Sequence, residues 1–306
     1  MAHLNDQTLD TFQTARRVKI EKLIVEPVVK KANITLQSNP EKIKFMYGNY
    51  RNYYGSRRSG AIKDSEAVNG DKESETVKDE RLKCIDIDWI KNKRILDIGC
   101  NSGAISIELA QYFNVSSVVG VDIDPNLVAS ARFALQKARS RAKLLHDRSV
   151  DWNYFPVSCS TIFNHIPILN DPDAPDILSN VSFRCGDWVH EPQELQEKFQ
   201  VIFALSISKW IHLNNGDQGI RRFFRRVYDS LDEGGLFILE PQSFEGYGKR
   251  AGLSCEMRDH YMSIKFFPDD FLPFLINKIG FTLLDTRHPP HASNGFQRDL
   301  HILQKN

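Results

Sequence analysis

Arg94-Ile95-Leu96-Asp97-Ile98-Gly99-Cys100-Asn101-Ser102-Gly103 is the stretch on which the architecture turns. Its first part is short, apolar and β-branched, as a strand buried on both faces is. It runs straight into a loop holding two glycines, and residues 103–113 then take up helical spacing. Glycines at such a junction let the backbone approach a ligand at the carboxyl edge of an open α/β sheet.

Working outward, the same alternation recurs. Short apolar runs stand at 94–99, 117–122, 181–186, 201–206, 235–240, 281–285 and 299–303, and helical spacing at 103–113, 125–143, 217–231 and 268–279. Pro125 and Pro268 occupy positions where first-turn prolines are tolerated, and Gly234-Gly235 is read as the end of the third helix. Strands alternating with helices predict an α/β fold, a mostly parallel Rossmann-like sheet of seven strands with helices on both faces. Residues 59–80, charged and small, read as a mobile loop, and the Asp/Asn/Pro/Ser-rich stretch 144–180 as an insertion. Residues 1–41 form an N-terminal extension with one apolar-rich stretch, Val18 to Val29, ahead of a domain spanning 42–306.

Asp122 ends the second apolar run, where an acid accepts hydrogen bonds from ribose hydroxyls. Two cofactor classes share this layout. A dinucleotide fingerprint needs a third glycine, which is missing, and Asp97 would repel a pyrophosphate. A carboxylate near the loop suits the amino group and sulfonium of S-adenosyl-L-methionine, and acid-x-glycine-x-x-x-glycine is the usual first motif of that methyltransferase fold. Gly186-Asp187 after the third strand supplies an acid for the adenine amino group, although Gly-Asp is also ordinary turn chemistry. The ordered trio Asp97, Asp122 and Asp187 carries the reading. Cys100 is read as a small loop residue, not a nucleophile.

Composition bounds the rest. Of 306 residues 41% are hydrophobic, enough for a sizeable core, and 40 basic against 39 acidic residues leave a net charge of +1. Any grip on nucleic acid must therefore come from local patches. Five scattered cysteines without a C-x-x-C argue against a disulfide scaffold or zinc ribbon and for a reducing compartment. No run approaches the ~20 apolar residues that span a bilayer. No secretory leader is read at the N-terminus, and an intracellular protein without a membrane partner or a metal is expected.

On the acceptor side, the exit of the fourth strand, Leu205-Ser206-Ile207-Ser208-Lys209-Trp210, lacks the Asn/Asp-Pro-Pro-aromatic motif of amino-methylating enzymes, and no cysteine has the proline neighbour of cytosine-5 enzymes. Lys209 and His212 follow the fourth strand; Gln242, Tyr247, Lys249 and Arg250 follow the fifth. Upstream, Lys44 to Arg58 (KFMYGNYRNYYGSRR) interleaves aromatics with cations. It suits base stacking and phosphate binding, or else closes the core as an amphipathic segment. RRFFRR (221–226) reads as a solvated helix face rather than an RNA contact. An anionic acceptor makes this inventory coherent, because a terminal phosphate is ionised at neutral pH and needs no general base.

At KFMYGNYRNYYGSRR, RILDIGCNSG, VVGVDIDP, LSISKWIHLNNGDQGIRRFFRR, LEPQSFEGYGKR and NGFQR the chain resembles the methylphosphate capping enzymes, the bicoid-interacting family of RNA methyltransferases. The resemblance runs from about residue 42 to 304. It implies methyl transfer from S-adenosylmethionine to the 5′-terminal phosphate of a small noncoding RNA. The acceptor would be the γ-phosphate of a polymerase III-type transcript such as 7SK RNA with a 5′-triphosphate end, or the monophosphate of a processed tRNA. It implies further a nuclear, also cytoplasmic, ribonucleoprotein setting alongside a La-related protein. Tyr47, Arg57, Gly99, Cys100, Asn101, Asp122, Ile123, Gly186, Asp187 and Leu205 would line the cofactor pocket, with Asp97 and Gly103 in its loop. Lys209, His212, Tyr247 and Lys249 would serve at the phosphate as catalytic residues. Ser243-Phe244 departs from the family's usual proline-tryptophan, and Asp187 stands where asparagine can occur. Two other readings stay open: an RNA-binding structural subunit with little turnover, and a small-molecule methyltransferase.

Overall fold

The computed structural model describes residues 45–50, 53–54, 79–146, 178–192, 197–290 and 296–306, with 141–146 as backbone only. The extension 1–41, Arg51, Arg57 and Arg58, the loop up to residue 78 and residues 147–177 of the expected insertion lie outside them.

All seven expected strands form: β1 Arg94–Ile98, β2 Ser117–Asp122, β3 Val181–Cys185, β4 Phe199–Leu205, β5 Leu231–Glu240, β6 Phe281–Arg287 and β7 Leu300–Lys305. They make one sheet in the order β3-β2-β1-β4-β5-β7-β6. The first five are mutually parallel, and β7 runs antiparallel between β5 and β6. The strand order reverses at β1, between β2 and β4, so a crevice opens at the carboxyl ends of these strands. Alternate side chains of the central strands enter two cores, one per face. Ile95, Val201 and Ile238 join one, and Leu96, Ile202 and Phe237 the other. Burial on both sides is why these strands read as unbroken apolar runs.

The long helices are α1 Ala104–Tyr112, α2 Pro125–His146, α3 Ser208–Ser230 and α4 Cys255–Ser263. Among the described residues no helix is long and apolar enough to cross a membrane. Four expectations are corrected. Helix α3 starts at Ser208 rather than 217, because two helical pieces join across Gly216, whose φ of 62° and ψ of −168° break the ladder without ending it. It stops at Ser230, and Gly234 (φ 72°) instead lies in a β5 that begins at Leu231, beside a register shift against β4. The expected helix 268–279 becomes a 3₁₀ turn, one α-turn and a π segment, Leu275–Ile279. Pro273 lacks the N–H an α-helix needs there. The end of the loop read as mobile, Asp79 and Glu80, is ordered, with Asp79 buried and capping the helical turn Glu80–Lys83.

RRFFRR is only half the solvated face expected of it. Phe223 and Phe224 are fully buried, Arg221 lies 3.8 Å over the ring of Phe266, and Arg226 is buried 4.7 Å from the ring of Trp188. Arg222 and Arg225 alone of the four arginines are exposed.

Candidate functional site

The β1 exit loop turns through three left-handed residues, Gly99 (φ 74°), Asn101 (φ 51°) and Gly103 (φ 77°). A side chain at Gly99 would run into Ile207, and one at Gly103 into the ring of Phe183, so the close packing as well as φ calls for glycine. The amides of Gly99 and Cys100 donate to the carbonyl of Val121 at 2.8 and 3.1 Å, which folds the loop across the end of β2. There Asp122 accepts from the amide of Asn101 (2.8 Å) and from that of Asp124 (2.9 Å), one bond to each carboxylate oxygen. Burial raises its pKa, and these N–H groups oppose the rise.

Asp97 lies beneath the loop and accepts from the Ser106 hydroxyl at 2.6 Å. Burial lifts its pKa to about 6, against the pull of Ser106 and Arg81. A folded-state carboxyl that titrates above its unfolded value stabilises the protein at low pH. That stability is lost as pH rises from about 4 to about 6. Asp97→Asn is therefore expected to remove this part of the decline. Thermal unfolding of both proteins across that window checks it, and parallel curves would refute it.

A cavity of about 470 Å³ opens over the carboxyl ends of β1 to β5, within the ~300–1,000 Å³ of small-molecule sites. Of the residues singled out from sequence, Tyr47, Gly99, Asn101, Asp122, Ile123, Gly186, Asp187, Leu205 and Lys209 line it. Asp187 is half engaged by its own loop, accepting from the amide of Val189 (3.1 Å) and meeting His190 Nδ1 at 2.8 Å. The exit of β2 thus offers a carboxylate, flanked by the apolar Val121, Leu127 and Val189, while the loop offers backbone at Gly99 and Asn101. That donor set fits an adenosine moiety, with ribose on the acid and base on the apolar wall.

Six others stay outside the cavity wall. Asp97 faces Ser106, Cys100 is fully buried under the loop, and Gly103 packs on Phe183. His212 is fully buried on the inner side of α3, its Nε2 2.8 Å from Asp217 Oδ1, and burial lowers its pKa against the pull of Asp217. Tyr247 packs edge-on to the His212 ring at 5.6 Å, and burial raises its pKa. Among the described residues neither the Tyr247 hydroxyl nor His212 Nδ1 has a hydrogen-bond partner. Lys249 and Arg250 are both exposed on the turn Gly248–Ala251, and of the two only Arg250 lines the cavity. Arg57 lies outside the described residues.

On the side of β4 and β5 three cations converge. Lys209, Arg250 and Arg298 all line the cavity, and burial with the charges of Arg298 and Arg250 brings the Lys209 pKa down to about 8. Lys209 Nζ lies 5.0 Å over the Trp210 ring, and Arg250 5.3 Å over that of Tyr50. Gln242 braces this exit: its carbonyl accepts from Ser208 Oγ (2.9 Å) and the Lys209 amide (3.0 Å), and its amide donates to the Ser206 carbonyl.

Residues 45–50 close one wall. Asn214 donates to the Met46 carbonyl (2.9 Å), Asn49 donates to Asp124, and Gly48 packs so tightly on the Trp210 indole that any Cβ would collide. Tyr54 packs against the core while Tyr47 remains exposed, so the aromatic run divides between its two readings.

Sequence reasoning missed a buried network behind the cations. Arg81 is 1% exposed and donates to both oxygens of Asp79 (2.9 Å each) and to Glu240 (3.0 Å). Glu240 also accepts from Ser206 Oγ, which in turn accepts from Arg298 at 2.6 Å. Ser206 holds φ at 61°, a rare value for a residue with a Cβ, at the point where β4 leaves the sheet. No local pattern announces contacts between positions 81, 206, 240 and 298.

A family model described as bicoid-interacting protein 3 matches residues 199–305, and a methyltransferase-domain model matches 95–183. A U6 snRNA methylphosphate capping enzyme of Drosophila melanogaster is 35% identical over 97% of this chain and 91% of its own. A human 7SK snRNA methylphosphate capping enzyme is 31% identical over 86% of this chain, which spans 40% of that protein. A pre-miRNA 5′-monophosphate methyltransferase of Xenopus laevis is 28% identical over 57% of this chain and 61% of its own. With the sheet order, the glycine loop and the acid at the end of β2 already in place, a relative matched almost end to end decides the identity: this chain belongs to the bicoid-interacting protein 3 family and is an S-adenosylmethionine-dependent methyltransferase.

Proposed function

We propose that the chain methylates the 5′-terminal phosphate of a small noncoding RNA, and that its acceptor is the 5′-triphosphate end of a polymerase III-type transcript in a nuclear ribonucleoprotein that includes a La-related protein. The observation that carries the phosphate is the convergence of Lys209, Arg250 and Arg298 in a cavity whose other side suits adenosine. No histidine is among the described residues that line it, and His212 is buried behind Asp217. A ribose hydroxyl acceptor would need a proton removed. A terminal phosphate, with its second pKa near 6, arrives largely ionised at neutral pH.

Asp122, Asn101 and the Gly99 backbone would hold the cofactor, with Val121, Leu127 and Val189 along the adenine. S-adenosylmethionine held there would supply an electrophilic methyl carbon to the phosphate oxygen, with the homocysteine sulfur as the leaving group. The protein's part is placement. Lys209, Arg250 and Arg298 grip the phosphate oxygens that do not react, and Gln242 holds the Lys209 backbone still. Tyr50 and Trp210 lie beneath these cations and keep water from part of the cavity wall.

Methyl transfer to a 5′-triphosphate RNA is expected, with none to the same RNA ending in a 5′-hydroxyl. The kcat/KM profile should rise between about pH 5 and 7 as the phosphate ionises. Lys209 is charged below its pKa of about 8, so the profile should fall above that value, and Lys209→Arg should remove the alkaline fall. Labelled methyl recovered on a base or a 2′-oxygen after nuclease digestion would overturn the acceptor.

A further inference from the structure

We infer that the arginine face of α3 binds phosphodiesters of the acceptor RNA downstream of its 5′ end; this rests on the RNA reading above. A second cavity of about 550 Å³ lies between α3 and the segment after β3, and it shares Val189 with the methyl-transfer cavity. Helix α3 contributes Gln218, Arg221, Arg222, Arg225, Arg226 and Asp229 to it. Steps of three and one place these six on one continuous helical face, about 16 Å long at ~1.5 Å per residue.

The four arginines fall into two pairs. Arg221 is held over the rings of Phe266 (3.8 Å) and Phe274 (4.8 Å). Arg226, 7% exposed, lies against Trp188, donates to the Glu191 carbonyl and keeps a buried Nε with no partner. These two charges are fixed in the groove wall. Arg222 and Arg225 are exposed, and among the described residues neither has an acidic partner at ion-pair distance. Of the two acids in the groove, Glu191 pairs with Arg184 and lies 3.7 Å from Arg226, which leaves Asp229 against Arg221, Arg222 and Arg225. Two anchored and two adaptable cations in a row suit a chain of phosphates, since the guanidinium fork matches phosphate oxygens in bidentate fashion. The groove adjoins the methyl-transfer cavity at Val189, which lines both, so an RNA with its 5′ end among Lys209, Arg250 and Arg298 would pass outside the adenine wall to reach it. That continuity favours RNA over an acidic protein segment.

The test is the double variant Arg222→Gln/Arg225→Gln, two exposed changes outside the methyl-transfer cavity. The acceptors are a single-stranded 5′-triphosphate RNA of about 20 nucleotides and a 5′-triphosphate dinucleotide too short to reach Arg222 and Arg225. The variant should raise KM for the long RNA by roughly tenfold and lower the log–log salt slope of its binding by about 1.4, or ~0.7 per phosphate lost. Turnover of the dinucleotide should not change. An unchanged KM and slope for the long RNA would overturn the inference. So would weakened binding of a polyglutamate peptide beside an unchanged RNA slope, which would assign the groove to an acidic protein. If the wild-type protein methylates neither RNA, the acceptor reading fails, and the salt slope of RNA binding still decides the groove.

Discussion

Asp122→Ala is expected to lose at least tenfold, and up to about a hundredfold, in affinity for S-adenosylhomocysteine while still folding. The carboxylate accepts from the amides of Asn101 and Asp124, one at each oxygen, and it lines the cavity. Bonds from ribose hydroxyls to an ionised, largely buried acceptor are worth about 1.5–3 kcal/mol together, which sets the range. Alanine also frees the Asn101 amide, so the loop itself should loosen and add to the loss. Asp122→Asn separates the two effects. It keeps an oxygen for one amide, so its melting temperature should stay nearer the parent's while its affinity still falls. Parent-like affinity in both variants, measured by titration calorimetry, would remove Asp122 from the cofactor site.

The largest stability effect is expected at Arg81, which touches no ligand. Its guanidinium is enclosed by Asp79 and Glu240, and Glu240 has no exposed surface. Arg81→Met keeps the volume but strands two buried carboxylates, which costs about 3–5 kcal/mol when one partner of a buried pair is removed. Urea denaturation should show a lower midpoint with an unchanged slope. Adding Glu240→Gln should restore part of the loss, because the double variant buries one charge fewer. A loss under about 1 kcal/mol for Arg81→Met would mean that water reaches the network. Glu240 also holds Ser206, and Ser206 accepts from Arg298. Arg81→Met should therefore raise KM for RNA more than it weakens S-adenosylhomocysteine binding, a split that loss of stability alone would not produce.

The lining of the cavity on the side of β1 to β3 was largely legible before any coordinates. Gly99, Asn101, Asp122 and Gly186 stand next to strand ends, and in a parallel sheet every strand end faces the same crevice. Spacing therefore translates directly into position. The lining on the side of β4 and β5 was less legible. His212 and Tyr247 sit in stretches shared with the family, yet both turn into the core, and Lys249 gives way to Arg250. On a helix or a tight turn, a one-residue offset rotates a side chain by about 100°, so membership of a motif does not say which residue faces the ligand.

Strand number, the mostly parallel sheet, the glycine loop and the acid of β2 follow from local rules: β-branched runs, glycine spacing and the period of apolar residues. These need only neighbours along the chain, and the linear sequence carries them. The kink that lets α3 run on through Gly216, the π segment after Pro273, and the seating of Arg298 on Ser206 and Glu240 depend on which distant residues meet. Arg81 reaches Glu240 across 159 positions, and Arg298 reaches Ser206 across 92. Such pairings are chosen by the shape of the sheet and by the cost of leaving a buried charge alone, and both exist only once the chain has folded.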